Sequence, residues 1–359
     1  MANQIRLKKG YDIKLVGEAA KEIVSLEAPK TYAVQPADIR GLVPKLQVEV
    51  GSKVKAGSPL FISKTQPDVC FTSPVSGEVV EVVRGEKRRI LELRIQADGS
   101  ADQENFGAAD PASLGREGVK EKMLKSGMWT FLRQRPYNRV AETHVVPKNI
   151  FISGFDSAPM APDLNFALKG RESHLQAGIN ALATLTDGQV YLGLRNKAEN
   201  GTLESLKNVS ITYFSGPHPA GNVGIQIHHV APINKGDVVW TMNIQDVANL
   251  GKLFTEGVYD TERVVAITGS EIENPVYTKM KVGASISGIA SKIKTENVRV
   301  ISGNVLFGTK TSVEGYLGYF DQQITVIPEG DEPEFFGWVL RSEARPSLSK
   351  SFLSYITPN

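Results

Sequence analysis

Apolar and polar positions follow three different patterns along the chain. From Ile5 to about Ile95, short runs of Val, Ile and Leu alternate with Gly, Pro and Lys, which is typical of small antiparallel strands joined by turns. From Gly118 the apolar positions recur at helical spacing, and strand-like apolar runs then alternate with helical segments. After Gly257 short strands return, with a turn and a helix that begins at a glycine. The patterns predict three domains, which suits a chain of 359 residues.

The predicted fold class is an α/β and β multidomain protein. Residues 1–100 are expected to form a barrel-like β domain, and residues 112–258 a mostly parallel, three-layer α/β domain. Residues 259–330 are expected to form a small β-grasp-like unit. The remaining segment, 331–359, has no predicted partner of its own, and we expect it to be the truncated start of a longer tail.

The α/β domain has the clearest individual elements. Its predicted helices begin near residue 118, with Gly127 as a C-cap, and span residues 172–185 and 246–254. Its predicted strands are residues 150–152, 190–194, 209–214 and 237–242. A glycine-rich loop follows the third of these strands, and no helix is expected directly after that loop.

Two half-motifs, residues 48–61 and 73–79, resemble those of biotinyl and lipoyl carrier domains, with glycines that suit tight turns. In those carriers the acceptor lysine sits at the hairpin between the halves, which falls near Gln66 and Pro67 here. Lys64 lies about two residues from that position, and Pro67 stiffens the turn. Attachment of biotin or lipoate at Lys64 and a solvated turn lysine are the alternatives, and the offset favours the second.

Composition narrows the class of protein. Lys+Arg 41 against Asp+Glu 39 gives a net charge of +2, so no nucleic-acid partner is indicated. The single cysteine, Cys70, excludes an internal disulfide and cannot supply the roughly four thiolates of an iron–sulfur cluster. The N-terminus lacks the apolar core of a signal peptide, so the cytoplasm is the expected compartment. The longest uncharged stretch, 208–234, is interrupted by glycines and prolines and is not expected to span a membrane.

The glycine-rich loop is the first candidate site, because open α/β sheets bind ligands in the loops that follow their strands. Its candidate residues are Gly216, His218, Gly221 and Gly224. A dinucleotide needs free backbone N–H groups at a helix N-terminus, whereas Pro217 and Pro219 remove two such donors. Binding of NADH or flavin is therefore weighed against a rigid structural or subunit-docking turn, and the turn is favoured.

Aromatic and guanidinium side chains alternate in the second candidate site. Its residues are Trp129, Phe131, Arg133, Arg135 and Tyr137. Such a set suits a flat apolar ring with carbonyl acceptors, so these residues are predicted to lie near a quinone headgroup. In the structural alternative, which is favoured over that prediction, Trp129 and Phe131 fill a junction beside the α/β domain while the arginines pair with nearby acids.

Three histidines, His218, His228 and His229, are not predicted to bind a metal, because no carboxylate or thiol accompanies them at ligand spacing. His228 and His229 are adjacent, and adjacent side chains of a strand point to opposite faces, so they could not readily share one ion. No catalytic residue is assigned, because no serine–histidine–acid order, paired catalytic carboxylates or phosphate-binding loop string is present.

Three strings point to one family. They are FISKTQPDVCFTSPVSG at residues 61–77, FSGPHPAG at 214–221 and YDTERVVA at 259–266. The chain closely resembles the NqrA family, which provides one subunit of the sodium-translocating NADH:quinone oxidoreductase, a bacterial respiratory pump. It is distantly similar to the flavin-binding subunit of complex I and to the corresponding subunit of the Rnf complex, whose cysteine clusters are absent here. The resemblance implies a barrel-sandwich hybrid domain, a Rossmann-like α/β domain and an SLBB (soluble-ligand-binding β-grasp) domain, in that order.

The resemblance also implies a role. An NqrA subunit is expected to be peripheral, on the cytoplasmic side of the bacterial inner membrane, in contact with integral membrane subunits. The complex is a translocase that passes electrons from NADH to ubiquinone or menaquinone and exports sodium. A contribution to assembly and to quinone binding is expected of this chain, with no covalent cofactor, since NADH and flavin belong to other subunits. The isolated chain is not expected to be catalytic.

Two alternatives to this role follow from the fold alone. One is a free-standing nucleotide-dependent oxidoreductase built on the α/β domain. The other is a β-grasp unit that binds a soluble ligand such as a sugar or cobalamin, which rests only on analogy between folds.

Overall fold

The computed structural model describes residues 3–196, 200–331 and 335. The N-terminal part of the chain contains short strands. These are β1 (Asn3–Arg6), β2 (Ala20–Ile23), β3 (Thr31–Val34), β4 (Pro44–Leu46), β5 (Lys53–Val54), β6 (Pro59–Ser63), β7 (Cys70–Thr72), β8 (Gly77–Arg84) and β9 (Ile90–Ala97). The predicted extension, 331–359, lies outside the described residues apart from residues 331 and 335.

Strands β3 to β9 form the barrel-like domain from two small antiparallel sheets, with the orders β3-β9-β8-β5 and β4-β6-β7. Their inward-facing side chains build its core, where Leu93 is fully buried and the rings of Phe61 and Phe71 stack with centroids 4.8 Å apart. The hairpin between β6 and β7 turns at Gln66, whose carbonyl accepts the amide of Val69 at 2.9 Å. The turn therefore lies where the sequence predicts it.

The first two strands of the chain pair with sheets outside the barrel. β1 runs parallel to residues 212–215 of the α/β domain, with Ile5 opposite Phe214. β2 pairs with a strand of the third domain, where Ala20 lies opposite Val276. The partners of both strands are more than 200 residues away in sequence. Local periodicity contains no information on such distant pairing.

The α/β domain follows, and its predicted elements are present. Its helices are α1 (Pro111–Ser126), α2 (Leu164–Ala167), α3 (Glu172–Thr184), α4 (Val223–Val230) and α5 (Ile244–Thr255). Its strands are β10 (Arg133–Arg135), β11 (Arg139–Val140), β12 (Asn149–Ser153), β13 (Val190–Arg195), β14 (Ser210–Ser215) and β15 (Val239–Thr241). The predicted C-cap is confirmed, since Gly127 ends α1 in the left-handed conformation at φ 85°.

The sheet of this domain is mostly parallel, as predicted. Its order is β1-β14-β13-β12-β15-β10-β11, where β1, β14, β13, β12 and β15 are parallel and β10 is antiparallel to both of its neighbours, β15 and β11. From β12 the chain proceeds outward through β13 and β14 and then returns to place β15 on the other side of β12. The winding thus reverses between β12 and β15, and open α/β sheets bind ligands at such a point.

Helices cover both faces of this sheet and give three layers. Ile150 and Ile152 point to one face, which belongs to the core shared with α3 and α5. Phe151 points to the other face and packs with α4. Helices α3 and α5 contact each other so closely that a Cβ on Gly251 would lie 1.6 Å from the carbonyl oxygen of His174. A side chain at position 251 would therefore force the two helices apart.

The third domain is a six-stranded sheet with the order β19-β18-β20-β16-β17-β2. Its own strands are β16 (Glu262–Thr268), β17 (Val276–Lys281), β18 (Val298–Ser302), β19 (Thr309–Thr311) and β20 (Gln323–Pro328). A 3₁₀ helix, Ser287–Lys292, occupies the place of the predicted glycine-started helix.

Polar side chains from all three domains meet at one place, which we call the junction, where four of them are buried and Asp38 is half-buried. It consists of Asp38, Thr130, Asp246, Arg263 and Tyr319. The Tyr319 amide donates to Asp38 at 2.8 Å, and its hydroxyl lies 2.6 Å from the Thr130 hydroxyl. Arg263 donates to both carboxylate oxygens of Asp246 at 2.8 and 2.9 Å, and the two side chains are 0% and 2% exposed. These bonds fix the three domains against one another.

Candidate functional site

A cleft opens on the α4 side of the seven-stranded sheet, where β12 and β15 end. Its volume is about 590 Å³, which lies in the usual range for ligand pockets. Ser153 at the end of β12 and Thr241 at the end of β15 both line it, so it lies where the winding of the sheet reverses. Residues of both predicted sites, the glycine-rich loop and the aromatic–arginine segment, line this single cleft.

Strand β10 supplies two guanidinium groups to the cleft. It runs antiparallel to β15, with Arg133 opposite Thr241 and Arg135 opposite Val239. Because alternate side chains of a strand share a face, Arg133 and Arg135 both line the cleft while Gln134 is buried on the other side. The local sequence Arg-Gln-Arg on an extended strand is therefore sufficient to bring two positive charges together.

The Arg133 guanidinium lies over an aromatic ring. Its central carbon is 4.0 Å from the centroid of the Phe320 ring, and its Nη2 donates to the carbonyl of Asn138 at 3.0 Å. Burial lowers the pKa of Arg133 to about 10, and the charge of Arg135 adds to this effect. Arg133 thus stays protonated at neutral pH. Among the described residues it forms no ion pair, so the acid partners of the structural alternative are not found there.

Arg135 has a donor atom without a hydrogen-bond partner among the described residues. Its Nε atom is completely buried and has no hydrogen-bond partner in the described part of the chain. Burial lowers the pKa of Arg135, and no neighbouring acid opposes that effect. A buried donor without a partner is costly, so the Nε of Arg135 is an unsatisfied donor at the cleft.

Aromatic side chains form the apolar wall of the cleft. Phe131 is buried and stacks on Tyr319, with ring centroids 5.0 Å apart and planes at 13°. Phe320 meets Phe131 edge-on at 6.5 Å. Phe307, at 71% exposure, also lines the cleft and is open to solvent. Because Tyr319 belongs to the junction, Phe131 connects the cleft wall directly to the junction.

Two residues of the predicted aromatic–arginine site lie elsewhere. Trp129 is buried, packs edge-on against Trp240 at 5.2 Å, and donates from its indole nitrogen to the carbonyl of Ala141 at 2.9 Å. Tyr137 is 65% exposed, and the nearby Arg139 guanidinium lies 5.9 Å from its ring. The structure therefore places Trp129 in the core and Tyr137 on the surface, and leaves Phe131, Arg133 and Arg135 at the cleft.

The predicted residues of the glycine-rich loop also lie in two different places. Gly221 and Gly224 line the cleft. Gly216 instead contacts the residue that follows β1, where a Cβ would lie 2.3 Å from the carbonyl oxygen of Leu7, and its φ of 113° suits only glycine. This glycine therefore serves the close approach of the N-terminal segment.

His218 is not among the residues that line the cleft. Its amide donates to the carboxylate of Asp12 at 2.7 Å, and its Nδ1 lies 3.0 Å from the hydroxyl of Ser157. These contacts tie the loop to the N-terminal segment and to the loop after β12. They fit the structural turn that the sequence favours for this part of the loop.

The expectation that no helix follows the loop is wrong. Helix α4 starts at Val223 with Asn222 as its N-cap residue, although the Asn222 side chain makes no capping hydrogen bond. His228 and His229 consequently lie on the last turn of a helix and not on a strand, and both are exposed. The prolines of the loop end before Asn222, so they do not prevent the helix.

Several cleft residues were not predicted from sequence. They are Ser153 at the end of β12 with Phe155 and Asp156 after it, Asn243 and Asp246 at the start of α5, and Phe307, Phe320 and Gln322 from the third domain. The first two groups follow buried strands, so the strand-end rule could have identified them. The third group comes from another domain and has no local signal.

The remaining candidates lie away from the cleft. Lys64 is exposed beside the β6–β7 hairpin. Cys70 is half-buried, and burial raises the pKa of its thiol to about 11. Across the described ranges, no three side chains of the kinds that ligate metals come together. None of the helices in those ranges has the length and apolar character needed to cross a bilayer.

Three segments of the chain match domains of a single sequence family. Residues 5–98 match the NqrA N-terminal barrel-sandwich hybrid domain, residues 114–259 the NqrA second alpha/beta domain, and residues 264–313 the NQRA C-terminal domain, which is of the SLBB type. The matches confirm the predicted kinds of domain and their order.

Similar proteins cover almost the whole chain. The NqrA-type subunit of the Na(+)-translocating NADH-quinone reductase of Yersinia pseudotuberculosis (strain IP 31758) is 37% identical over 357 residues, which cover 98% of this chain and 79% of that protein. Its counterpart from Vibrio atlanticus is 36% identical over 357 residues with the same coverage. A solved NAD+-reducing NiFe-hydrogenase chain is 14% identical over 50% of this chain and 40% of its own, at a TM-score of 0.35, which is too low to support an argument.

Proposed function

Because the chain belongs to the NqrA family of the Na(+)-translocating NADH-quinone reductase, we propose that it serves as a peripheral subunit of such a complex, on the cytoplasmic side of the membrane. Other subunits, integral membrane subunits among them, are its partners. NADH oxidation, the flavin steps and sodium export belong to the assembled complex. The support for this role is the similarity over 98% of the chain to relatives of that name.

Within that complex, the cleft is the part of this chain that binds a quinone headgroup. The observation in favour is the combination of the Phe131 and Phe320 rings with the guanidinium of Arg133. A quinone ring is flat and apolar, and its carbonyl oxygens accept hydrogen bonds. Arg133 lies over Phe320 and donates one hydrogen bond to the chain from its five donors, so donors remain for a carbonyl.

Substitution of Arg133 tests the quinone site in the assembled complex. A hydrogen bond from a charged group contributes about 1.5–3 kcal/mol, so Arg133→Gln should raise the KM for quinone by about tenfold or more. The matched control is Arg139→Gln on β11, where the exposed arginine pairs with Glu142 outside the cleft. Equal KM values for the two variants and the unaltered complex, with assembly intact by size-exclusion chromatography, would remove the quinone proposal.

One structural observation supports the second candidate function, a nucleotide-dependent oxidoreductase. Helix α4 does follow the glycine-rich loop, and the cleft lies at the reversal point of the sheet. Against it, Pro217 and Pro219 remove two backbone donors from the loop. Titration of the isolated chain with NADH separates the functions: binding at micromolar concentration supports the oxidoreductase, and none is expected for the subunit.

A further inference from the structure

The cleft contains two adjacent positive charges without a counter-charge. Arg133 and Arg135 point the same way from β10, and the buried Nε of Arg135 has no acceptor among the described residues. Burial lowers the pKa of both side chains, and each guanidinium remains protonated at neutral pH. Charges in such a setting normally have an ion-pair partner or a bound ligand.

The acids that line the cleft do not supply that partner. Asp246 accepts both of its hydrogen bonds from Arg263 in the junction. Asp156 accepts the amide of Ala158 at 2.8 Å within its own loop and forms no ion pair with the arginines. The positive charge of β10 is therefore left uncompensated by the side chains that the structure describes.

The first turn of α4 adds a second positive potential at the same place. A Cβ on Gly224 would have Arg135 Nη1 as its nearest atom, at 3.9 Å. The amides of Val223 and Gly224 have no acceptor in the described part of the chain, and the Asn222 side chain does not cap the helix. A guanidinium beside the positive end of a helix dipole is unfavourable unless an anion lies between them.

We propose that this corner of the cleft binds an oxyanion, a phosphate or carboxylate group, between the Arg135 guanidinium and the amides of Val223 and Gly224. Arg133 supplies the second positive charge. A planar guanidinium group binds two oxygens of such an anion at once, and free amides at a helix N-terminus donate to a third oxygen of a phosphate or share an oxygen of a carboxylate. The site uses the same cleft as the proposed quinone site but does not depend on it.

Inorganic phosphate is the probe. The purified full chain in Tris–chloride should show a rise in melting temperature on addition of sodium phosphate, compared with sodium chloride at equal ionic strength. Arg135→Gln should weaken phosphate binding by about tenfold or more, measured by calorimetric titration. Arg139→Gln, an exposed arginine on the adjacent strand, should bind like the unaltered chain.

The phosphate-free protein gives a readout that a purely structural arginine would not. Because Arg135→Gln removes a half-buried charge that has no counter-charge among the described residues, it should raise the melting temperature without phosphate. A fall in melting temperature, or phosphate binding equal to that of the unaltered chain, would overturn the proposal.

Gly224→Asp places an anion beside Arg135 as part of the chain, and Arg135 itself is retained. It should raise the melting temperature above that of the isosteric Gly224→Asn and abolish the phosphate response, because its carboxylate occupies the site. Part of this gain would arise at any helix N-terminus. The gain over Gly224→Asn should therefore shrink in an Arg135→Gln background, and an unchanged gain would contradict a site built on Arg135.

Binding of adenosine monophosphate and of acetate distinguishes the chemical forms in which the oxyanion could occupy the site. Tighter binding of the nucleotide than of phosphate indicates that the site receives the phosphate of a larger ligand, and equal binding indicates the free ion. Acetate binding that Arg135→Gln abolishes supports the carboxylate form. If none of the three anions binds, the site does not exist, whereas the quinone test on Arg133 would be unaffected.

Discussion

Two arginines of this protein lie largely out of water in opposite surroundings. Arg263 in the junction donates to both oxygens of Asp246 and to the carbonyls of Tyr319 and Asp321. Arg135 in the cleft has a buried Nε without a partner among the described residues and lies beside the positive end of α4. The same side chain is thus fully compensated in one region and uncompensated in the other.

This difference indicates where the fold can accept a ligand. Phe131 separates the two regions, since it lines the cleft and also lies 5.5 Å from the Arg263 guanidinium. On the junction side Arg263 and Asp246 pair with each other, whereas the Asp38 carboxylate accepts one backbone amide and has no cationic partner among the described residues. On the cleft side the donors remain available. A buried ion pair that is complete has a structural role, whereas an incomplete one indicates a site.

Substitution of Arg263 should have the largest effect on the free energy of unfolding, because it leaves the junction with a buried charge that has no counter-charge. Arg263→Met leaves Asp246 buried without its partner, which costs about 3–5 kcal/mol in free energy of unfolding. Urea unfolding at pH 7 measures this loss. The double variant Arg263→Met with Asp246→Leu should recover much of it, because no charge then remains buried. A loss of less than about 1 kcal/mol would mean that the junction does not need the pair.

Asp38 tests whether the junction is compensated throughout. Burial raises the pKa of Asp38 from 3.8 to about 6, with the nearby Asp321 adding to the rise and the Tyr319 amide opposing it. The folded state therefore holds this proton more tightly than the unfolded state. The contribution of Asp38 to stability is fully present below pH 3.8 and is lost as the pH rises through about 6.

The matching variant is Asp38→Asn, which keeps an oxygen for the Tyr319 amide without the charge. At pH 8 it should raise the free energy of unfolding by up to roughly 3 kcal/mol, and near pH 4 it should have little effect. Urea unfolding at both pH values measures the difference. An equal effect at the two values would show that the ionisation of Asp38 is not responsible.

Sequence patterns predicted the parts of this comparison that depend on short-range order. Strands β12 to β15, helices α1, α3 and α5 and the C-cap at Gly127 are local properties, whereas β10, β11, α2 and α4 are not among the predicted elements. The sheet membership of β1, the placement of Phe320 over Arg133 and the meeting of Asp38 with Tyr319 depend on contacts between distant segments. Pro217 and Pro219 argue against a helix after the glycine-rich loop, but α4 begins beyond both of them, with Asn222, a residue type that suits an N-cap.

Gly221 in the glycine-rich loop and Gly224 in the first turn of α4 show the same contrast on a smaller scale. Gly221 is closely packed, since a Cβ there would lie 2.5 Å from the amide nitrogen of Ser157. Gly224 borders open space, where the nearest atom to a Cβ would be Arg135 Nη1 at 3.9 Å. Gly221→Ala should therefore lower the free energy of unfolding by about 1–3 kcal/mol, because the loop after β12 must move.

Gly224→Ala should instead raise the free energy of unfolding by about 0.5–1 kcal/mol, since alanine is the better helix former and meets no close neighbour. Urea unfolding of the two variants in Tris–chloride gives both signs in one experiment. A lower free energy of unfolding for Gly224→Ala would show that position 224 has no room for a methyl group. The contrast between the open cleft and the closely packed junction would then not hold at this position. A gain together with retained phosphate binding would show that the corner beside Arg135 has room for a methyl group as well as for the anion.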